Sequence, residues 1–213
     1  MKEKALLLES GKKLLHEGFT VETWGNISLR GADQLIYITP SGMNYDTCTE
    51  DDIVVMGLDG TIVDGHRTPS IEHGLHRAVY TARPDVNAVV HTHPIYSTVF
   101  SAMGEDIPLL IDEAAQALGS IVRTASYALP GTEELAAHCV EALGSSSNAC
   151  LLQSHGAVCV GRDMNAAFRT ARVLEMTAEI YYRIRSIGGT FIPISEANIA
   201  AMQDLIAQRY GQR

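Results

Sequence analysis

Ala88-Val89-Val90, inside the run from Val86 to His91, is apolar at every position. Successive side chains of a strand point to opposite faces of its sheet, so such a strand has no face to offer to water and must lie in a sheet covered on both sides. The rest of the chain supplies the neighbours and the covers. From Lys2 to Glu17, Leu7, Leu8, Leu14 and Leu15 follow a helical pattern and Gly18 stands just beyond, which predicts an amphipathic helix with a glycine stop. Ile27 to Leu29, Leu35 to Ile38 and Ile53 to Met56 are β-favouring runs broken by Gly, Asp and Asn, and Asp59-Gly60 marks a hairpin into Ile62 and Val63. The first third therefore predicts an antiparallel meander. Further helices are predicted from Ile71 to Ala82, after the turn at Pro94, behind a cap at Thr132, from Asn165 to about Ile187 before Gly188-Gly189, and from Glu196 to Arg209. Strands are predicted at Ala149 to Gln153 and Ala157 to Val160. Strands crowded early and interleaved with helices later, without strict βαβ repetition, predict an α/β chain with a mixed or antiparallel central sheet under helices.

The 213 residues contain no Pro/Gly/Ser-rich linker longer than a few residues, so residues 1–213 are expected to form a single domain. With 46% hydrophobic and 19% charged residues, the chain lies outside the apolar-poor, highly charged range of disorder. A net charge of −9 argues against a nucleic-acid partner, because phosphate-backbone binding needs Lys and Arg clustered on one face. The early apolar run Ala5 to Leu8 is broken by Glu9, Lys12 and Lys13 and is too short for a secretory core or a membrane span; a cytoplasmic protein with no membrane partner is expected. Cys48, Cys139, Cys150 and Cys159 form no C-x-x-C pair and are expected to be buried free thiols.

His91-Thr92-His93 follows the apolar strand directly, and residues two apart on a strand project from the same face. Two imidazoles so placed suit a metal ion, the competing reading being two unrelated polar residues in a loop. His155, in Ser154-His155-Gly156 between two apolar strands, brings the count to the three protein ligands of a catalytic zinc, unless it is a turn residue satisfied by backbone. Glu72 stands at the start of a helix, where a carboxylate serves either as a structural cap or as a reacting group. His73 and His76 share a helix face as a rival metal pair, though nothing ties that face to a third ligand. Gly25-Asn26-Ile27-Ser28 and Thr39-Pro40-Ser41-Gly42 are turn-rich patches at strand boundaries, of the kind that bring backbone N–H groups and hydroxyls to a phosphate, or simply turn. A cupin also uses H-x-H, but its glutamate a few residues further on has no counterpart between Pro94 and Phe100.

Taken in order, W-G-N-I-S at Trp24 to Ser28, T-P-S-G at Thr39 to Gly42, S-I-E at Ser70 to Glu72, R-P-D-V-N-A-V-V-H-T-H-P at Arg83 to Pro94 and S-H-G at Ser154 to Gly156 resemble the class II aldolase/adducin family, and within it the L-fuculose-phosphate aldolase branch. The resemblance spans essentially the whole chain. It implies an α/β/α fold on a largely antiparallel sheet, a homotetramer with sites between subunits, and one Zn²⁺ per chain on His91, His93 and His155. Glu72 matches the carboxylate that completes the zinc shell without substrate and acts as acid/base with it. Asn26, Ser41, Gly42 and Ser70 match phosphate-binding positions, and Tyr210 matches a tail tyrosine that closes over the site. Two positions depart from the pattern. Ile71 replaces a second serine beside the glutamate, and Asp112, followed by Glu113, aligns with the tyrosine that serves in proton transfer at the aldehyde end of the substrate. The implied reaction is cleavage of a ketose 1-phosphate, L-fuculose 1-phosphate or a related deoxy-sugar phosphate, to dihydroxyacetone phosphate and a small aldehyde. The same family also implies, as alternatives, a pentulose-phosphate 4-epimerase, typically with aspartate where Glu72 stands, a dehydratase or decarboxylase, or a non-catalytic adducin-like domain that has lost the metal.

Overall fold

A computed structural model describes residues 2–209, with side chains described for 2–205. Its centre is an eight-stranded sheet built from β1 (Asn26–Arg30), β2 (Ile36–Ile38), β3 (Val54–Met56), β4 (Ile62–Asp64), β5 (Ala88–Thr92), β6 (Thr124–Ala125), β7 (Ala149–Leu152) and β8 (Gly156–Gly161). The spatial order is β4-β3-β2-β1-β5-β8-β7-β6. Every neighbouring pair is antiparallel except β6 with β7. The early strands form the expected meander, and β5 occupies the interior position that its apolar sequence demands.

Side-chain alternation on β5 divides the core into two layers. Ala88 and Val90 pack with Ala157 and Cys159 of β8 beneath α1 (Lys2–His16), α3 (Ile95–Met103) and α6 (Met164–Ser186), through Leu7, Leu14, Phe100, Phe168 and Leu174. Val89 turns the other way and packs with Val158 and Val160 beneath α2 (His73–Ala82) and α5 (Glu133–Leu143), through Leu75, Val79, Leu135 and Cys139. Full burial of a Val, Leu or Phe side chain contributes about 1.5–3 kcal/mol, so two dry layers on one strand fix its register: a slip by one residue would exchange every side chain between them. The α/β/α arrangement and largely antiparallel sheet expected from the sequence are present, and all four cysteines are buried free thiols, Cys139 and Cys150 with sulfurs 3.6 Å apart.

Three local features differ from the sequence expectation. The helix expected from Ile71 begins at His73, because Ser70 Oγ accepts the Glu72 N–H at 3.2 Å and holds Glu72 in a turn ahead of the helix. A short helix, α4 (Asp112–Ala117), lies in a stretch where no element was predicted; six residues give too little periodicity to recognise, although Ala114, Ala115 and Ala117 are buried. The two-residue β6 was equally invisible. Helix α7 (Glu196–Arg209) forms as predicted and is tied to α4 by Gln203, whose amide donates to the carbonyls of Ala115 and Gly119. Among the described residues no helix is long and apolar enough to cross a membrane.

Candidate active site

The site forms where strand ends meet. Pairing of β1 with β5 sets Asn26 opposite His91, and pairing of β5 with β8 sets Thr92 opposite Ala157, so His93, just past β5, meets the β7–β8 turn that carries His155. Two glycines make this approach sterically feasible. A Cβ on Gly25 would lie 2.8 Å from the His91 carbonyl oxygen, at a φ of +77°. One on Gly156 would lie 2.3 Å from the Thr92 carbonyl oxygen and 3.0 Å from the His93 ring. Larger residues at either place would push the histidines apart.

The three imidazoles surround one point. Their ring centroids are 4.7, 4.8 and 5.0 Å apart and each pair is edge-on. His91 Nδ1 is 3.0 Å from the Ala157 carbonyl, which can only accept, so Nδ1 carries the hydrogen and Nε2 faces the cluster with a lone pair. His93 Nε2 lies 2.9 Å from that atom. Glu72, from the turn before α2, brings Oε2 to 3.3 Å from His91 Nε2 and Oε1 to 3.8 Å from His155 Nε2. Oε1 is buried and has no hydrogen-bond partner. Lone pairs of several nitrogens and a carboxylate converging in a buried space repel one another until a cation or proton is placed among them. A ring whose second nitrogen donates to a backbone carbonyl is also the usual arrangement of a metal-bound histidine. The donor set therefore fits a divalent cation, and the ligand atoms of His91, His93 and His155 all lie within 4.8 Å of one another.

Burial and like charge favour the neutral rings that a cation needs. Burial first, then His91 and His155, pull His93 down to about 3; burial first, then His91, pull His155 down to about 4. For Glu72, burial is the largest influence and acts upward, but His91, His155 and the Asn26 amide together outweigh it and hold the carboxyl below its ordinary value.

A cleft of about 510 Å³ opens from this cluster. Glu72, His93 and His155 lie at its floor, and Asn26, Ser41, Gly42, Ser70 and the exposed Ile71 and Trp24 form its walls. The structure thus brings together the three histidines, Glu72 and all four residues matched to phosphate binding. The Asn26 side chain is committed to Glu72, donating from Nδ2 to Oε2 at 2.9 Å. Asp112 is exposed at the start of α4 and does not line the cleft of its own chain, and Tyr210 lies outside the described residues. The rival pair dissolves: His76 is completely buried, with both ring nitrogens engaged by Ser28 and Asn26.

Two supports of the site were not foreseen. Glu175 of α6 accepts the backbone N–H groups of Tyr96 and Ser97 and the Ser97 hydroxyl, pinning the first turn of α3 immediately after His93-Pro94. Its signal was a carboxylate beside the apolar stripe of Ala171, Leu174 and Ala178. Ser101 of α3 accepts the His155 N–H and donates to the Leu152 carbonyl, fixing the turn that presents His155.

Three histidines and a carboxylate at the floor of a cleft walled by turns form a group that could hold a metal ion beside a bound substrate, and comparison with known proteins gives the class of enzyme. The class II aldolase and adducin N-terminal domain model matches residues 5–182. The chain is 37% identical over 188 residues to 5-deoxy-D-ribulose 1-phosphate aldolase of Bacillus thuringiensis serovar kurstaki, covering 88% of this chain and 87% of that protein. It is 33% identical over 207 residues to L-fuculose phosphate aldolase of Escherichia coli strain K12, covering 97% and 94%. A solved L-fuculose 1-phosphate aldolase superposes with a TM-score of 0.92 at 33% identity, covering 97% of this chain and 96% of that one. The protein belongs to the class II aldolase and adducin family and is an enzyme of its aldolase class.

Proposed function

We propose that the protein cleaves a ketose 1-phosphate between C3 and C4, giving dihydroxyacetone phosphate and a small aldehyde, with Zn²⁺ on His91, His93 and His155. The observation that carries this reading is Glu72, a buried carboxylate with one oxygen held by Asn26 and the other free, set against three converging imidazoles at the floor of an open cleft. A cation held there supplies Lewis acidity, worth several kcal/mol toward negative charge developing on a carbonyl oxygen. The chain's own residues do the rest. Breaking the C3–C4 bond leaves the electron pair on the phosphorylated three-carbon fragment; Glu72, a carboxylate in the free site, takes up a proton from water in the cleft and passes it from Oε1 to that carbon, the two transfers of a positioned acid/base group. Ser41, Gly42 and Ser70, with Asn26 at the edge of the same wall, hold the phosphate end, and Ile71 gives that wall an apolar patch in place of a second hydroxyl.

The C4 hydroxyl proton has to leave as the aldehyde forms. We assign this step to Asp112 of a neighbouring subunit, with Tyr210 closing the cleft, in a cytoplasmic homotetramer whose sites lie between chains. The exposed apolar side chains Trp24, Ile71, Ile95, Tyr127 and Leu129 support an assembly that covers them. The substrates named for the two relatives, 5-deoxyribulose 1-phosphate and fuculose phosphate, define the class to test. Glu72 favours this reading over the epimerase. Each ketose 1-phosphate is incubated with zinc-loaded protein, and dihydroxyacetone phosphate is read by coupled NADH oxidation. NADH loss with at least one of the panel is expected; none with any of them overturns the aldolase reading.

A further inference from the structure

Beneath the cleft, a line of buried polar side chains runs from Glu72 into the layer between the sheet and α2. Asn26 Nδ2 is 2.9 Å from Glu72 Oε2, Asn26 Oδ1 is 2.5 Å from His76 Nε2, His76 Nδ1 is 2.6 Å from Ser28 Oγ, and Ser28 Oγ is 2.8 Å from the Tyr80 hydroxyl. Ser28, His76 and Tyr80 are at most 1% exposed. His76 is fully buried with both ring nitrogens engaged by neighbours of the chain, and an apolar residue would fill the space without ordering four polar groups.

The chemistry of the groups allows this line one direction. A carboxylate oxygen accepts, so Asn26 presents its NH₂ to Glu72 and its carbonyl to His76. That carbonyl requires a hydrogen on His76 Nε2. The neutral ring then has a lone pair on Nδ1, which accepts the Ser28 hydroxyl, and Ser28 in turn accepts from Tyr80. Burial keeps the His76 ring neutral, its pKa pulled down to about 3.

We propose that His76 is a positioning residue for the reaction: its Nε2–H locks the Asn26 amide in the orientation that donates to Glu72 Oε2, so that Oε1 alone remains free to carry the proton. This rests on the assignment of Glu72 to proton transfer. The alternative is that His76 only fills space and stabilises α2 against the sheet.

The two are separated by a pair of conservative variants. In His76→Gln the side-chain amide nitrogen reaches the place of Nε2 and can donate to Asn26, whereas in His76→Asn the shorter amide reaches only the place of Nδ1. The zinc-loaded His76→Asn and His76→Phe variants are expected to lose about 10–100-fold in kcat, the range seen when a partner that orients a site residue is removed, with KM changed less than about threefold. His76→Gln is expected to recover most of that loss. Thermal melting runs alongside. Equal kcat in the Gln and Asn variants, or losses that follow melting temperature alone, would overturn the proposal even if His76→Phe fails to fold. A readout independent of turnover is the ¹⁵N spectrum of the imidazoles: His76 as the Nε2–H tautomer supports the lock, and the Nδ1–H tautomer removes it. Absence of cleavage by the unaltered enzyme would strike the aldolase reading, while the tautomer would still decide the orientation of Asn26.

Discussion

At the scale of single residues, the division of labour turns on Glu72. One of its oxygens is spoken for by Asn26 and the other faces His155 without a partner, which is what a group that must exchange a proton requires. Glu72→Gln keeps the size and the approach to Asn26 but cannot shuttle a proton. Its kcat for the best ketose 1-phosphate is expected to fall about 10²–10⁴-fold, the usual worth of a positioned acid/base group, while the histidines still retain metal; steady-state kinetics with elemental analysis checks both, and unchanged kcat would remove Glu72 from the chemistry. The histidines and Glu72 were legible in the sequence because each sits in a short motif at an element boundary. The line behind Glu72 was not. Asn26 and Glu72 are 46 residues apart, Ser28 and Tyr80 are 52 apart, and no local spacing encodes a contact made by folding β1 against α2. From the sequence His76 could be weighed only as half of a rival metal pair lacking a third ligand, whereas its neighbours leave it no free nitrogen.

At the scale of elements, the site is only as rigid as the helices behind it. β5 ends in His91-Thr92 and the chain passes through His93-Pro94 straight into α3, so the orientation of α3 sets that of His93. Glu175 of α6 accepts at 2.8, 2.9 and 2.7 Å from the first turn of α3, supplying negative charge where a helix N-terminus carries partial positive charge. Glu175→Ala is expected to destabilise the protein by about 1.5–3 kcal/mol, the range for hydrogen bonds to a charged group, and to weaken metal retention because His93 loses its support. Urea unfolding and competitive chelation measure the two effects; a stability loss with metal affinity intact would confine Glu175 to α6–α3 packing. The long elements were read correctly from periodicity, and α4 was missed because its six residues pass through less than two turns. Ser101 and Glu175 carried weaker signals, a hydroxyl and a carboxylate near apolar stripes, whose partners lie on other elements.

At the scale of the whole molecule, the price of a site made of buried neutral imidazoles is sensitivity to acid. His76 and His93 are pulled down to about 3 and His155 to about 4, burial being the largest cause in each. An unfolded imidazole titrates near about 6.5. Between those values the unfolded chain binds protons that the folded chain refuses, so stability is fully present above about 6.5 and falls as the pH is lowered toward the folded values. The urea midpoint of the metal-free protein is expected to be level above about pH 7 and to decline between about pH 6.5 and 5, before most carboxylates titrate; a level midpoint through that window would show that these rings take up protons as readily in the folded chain as in the unfolded one. The layered fold itself was implied by one strand, since Ala88-Val89-Val90 needed cover on both faces and has it.

The central claim is that cleavage depends on one divalent cation held by His91, His93 and His155. Its most direct test is a titration of chelator-stripped protein with Zn²⁺ while release of dihydroxyacetone phosphate is followed. Activity should be absent at the start, rise in proportion to added metal and break at one equivalent per chain, and His93→Ala should show no such break. Cleavage that persists in the stripped protein, or a break unaltered by loss of His93, would contradict the account.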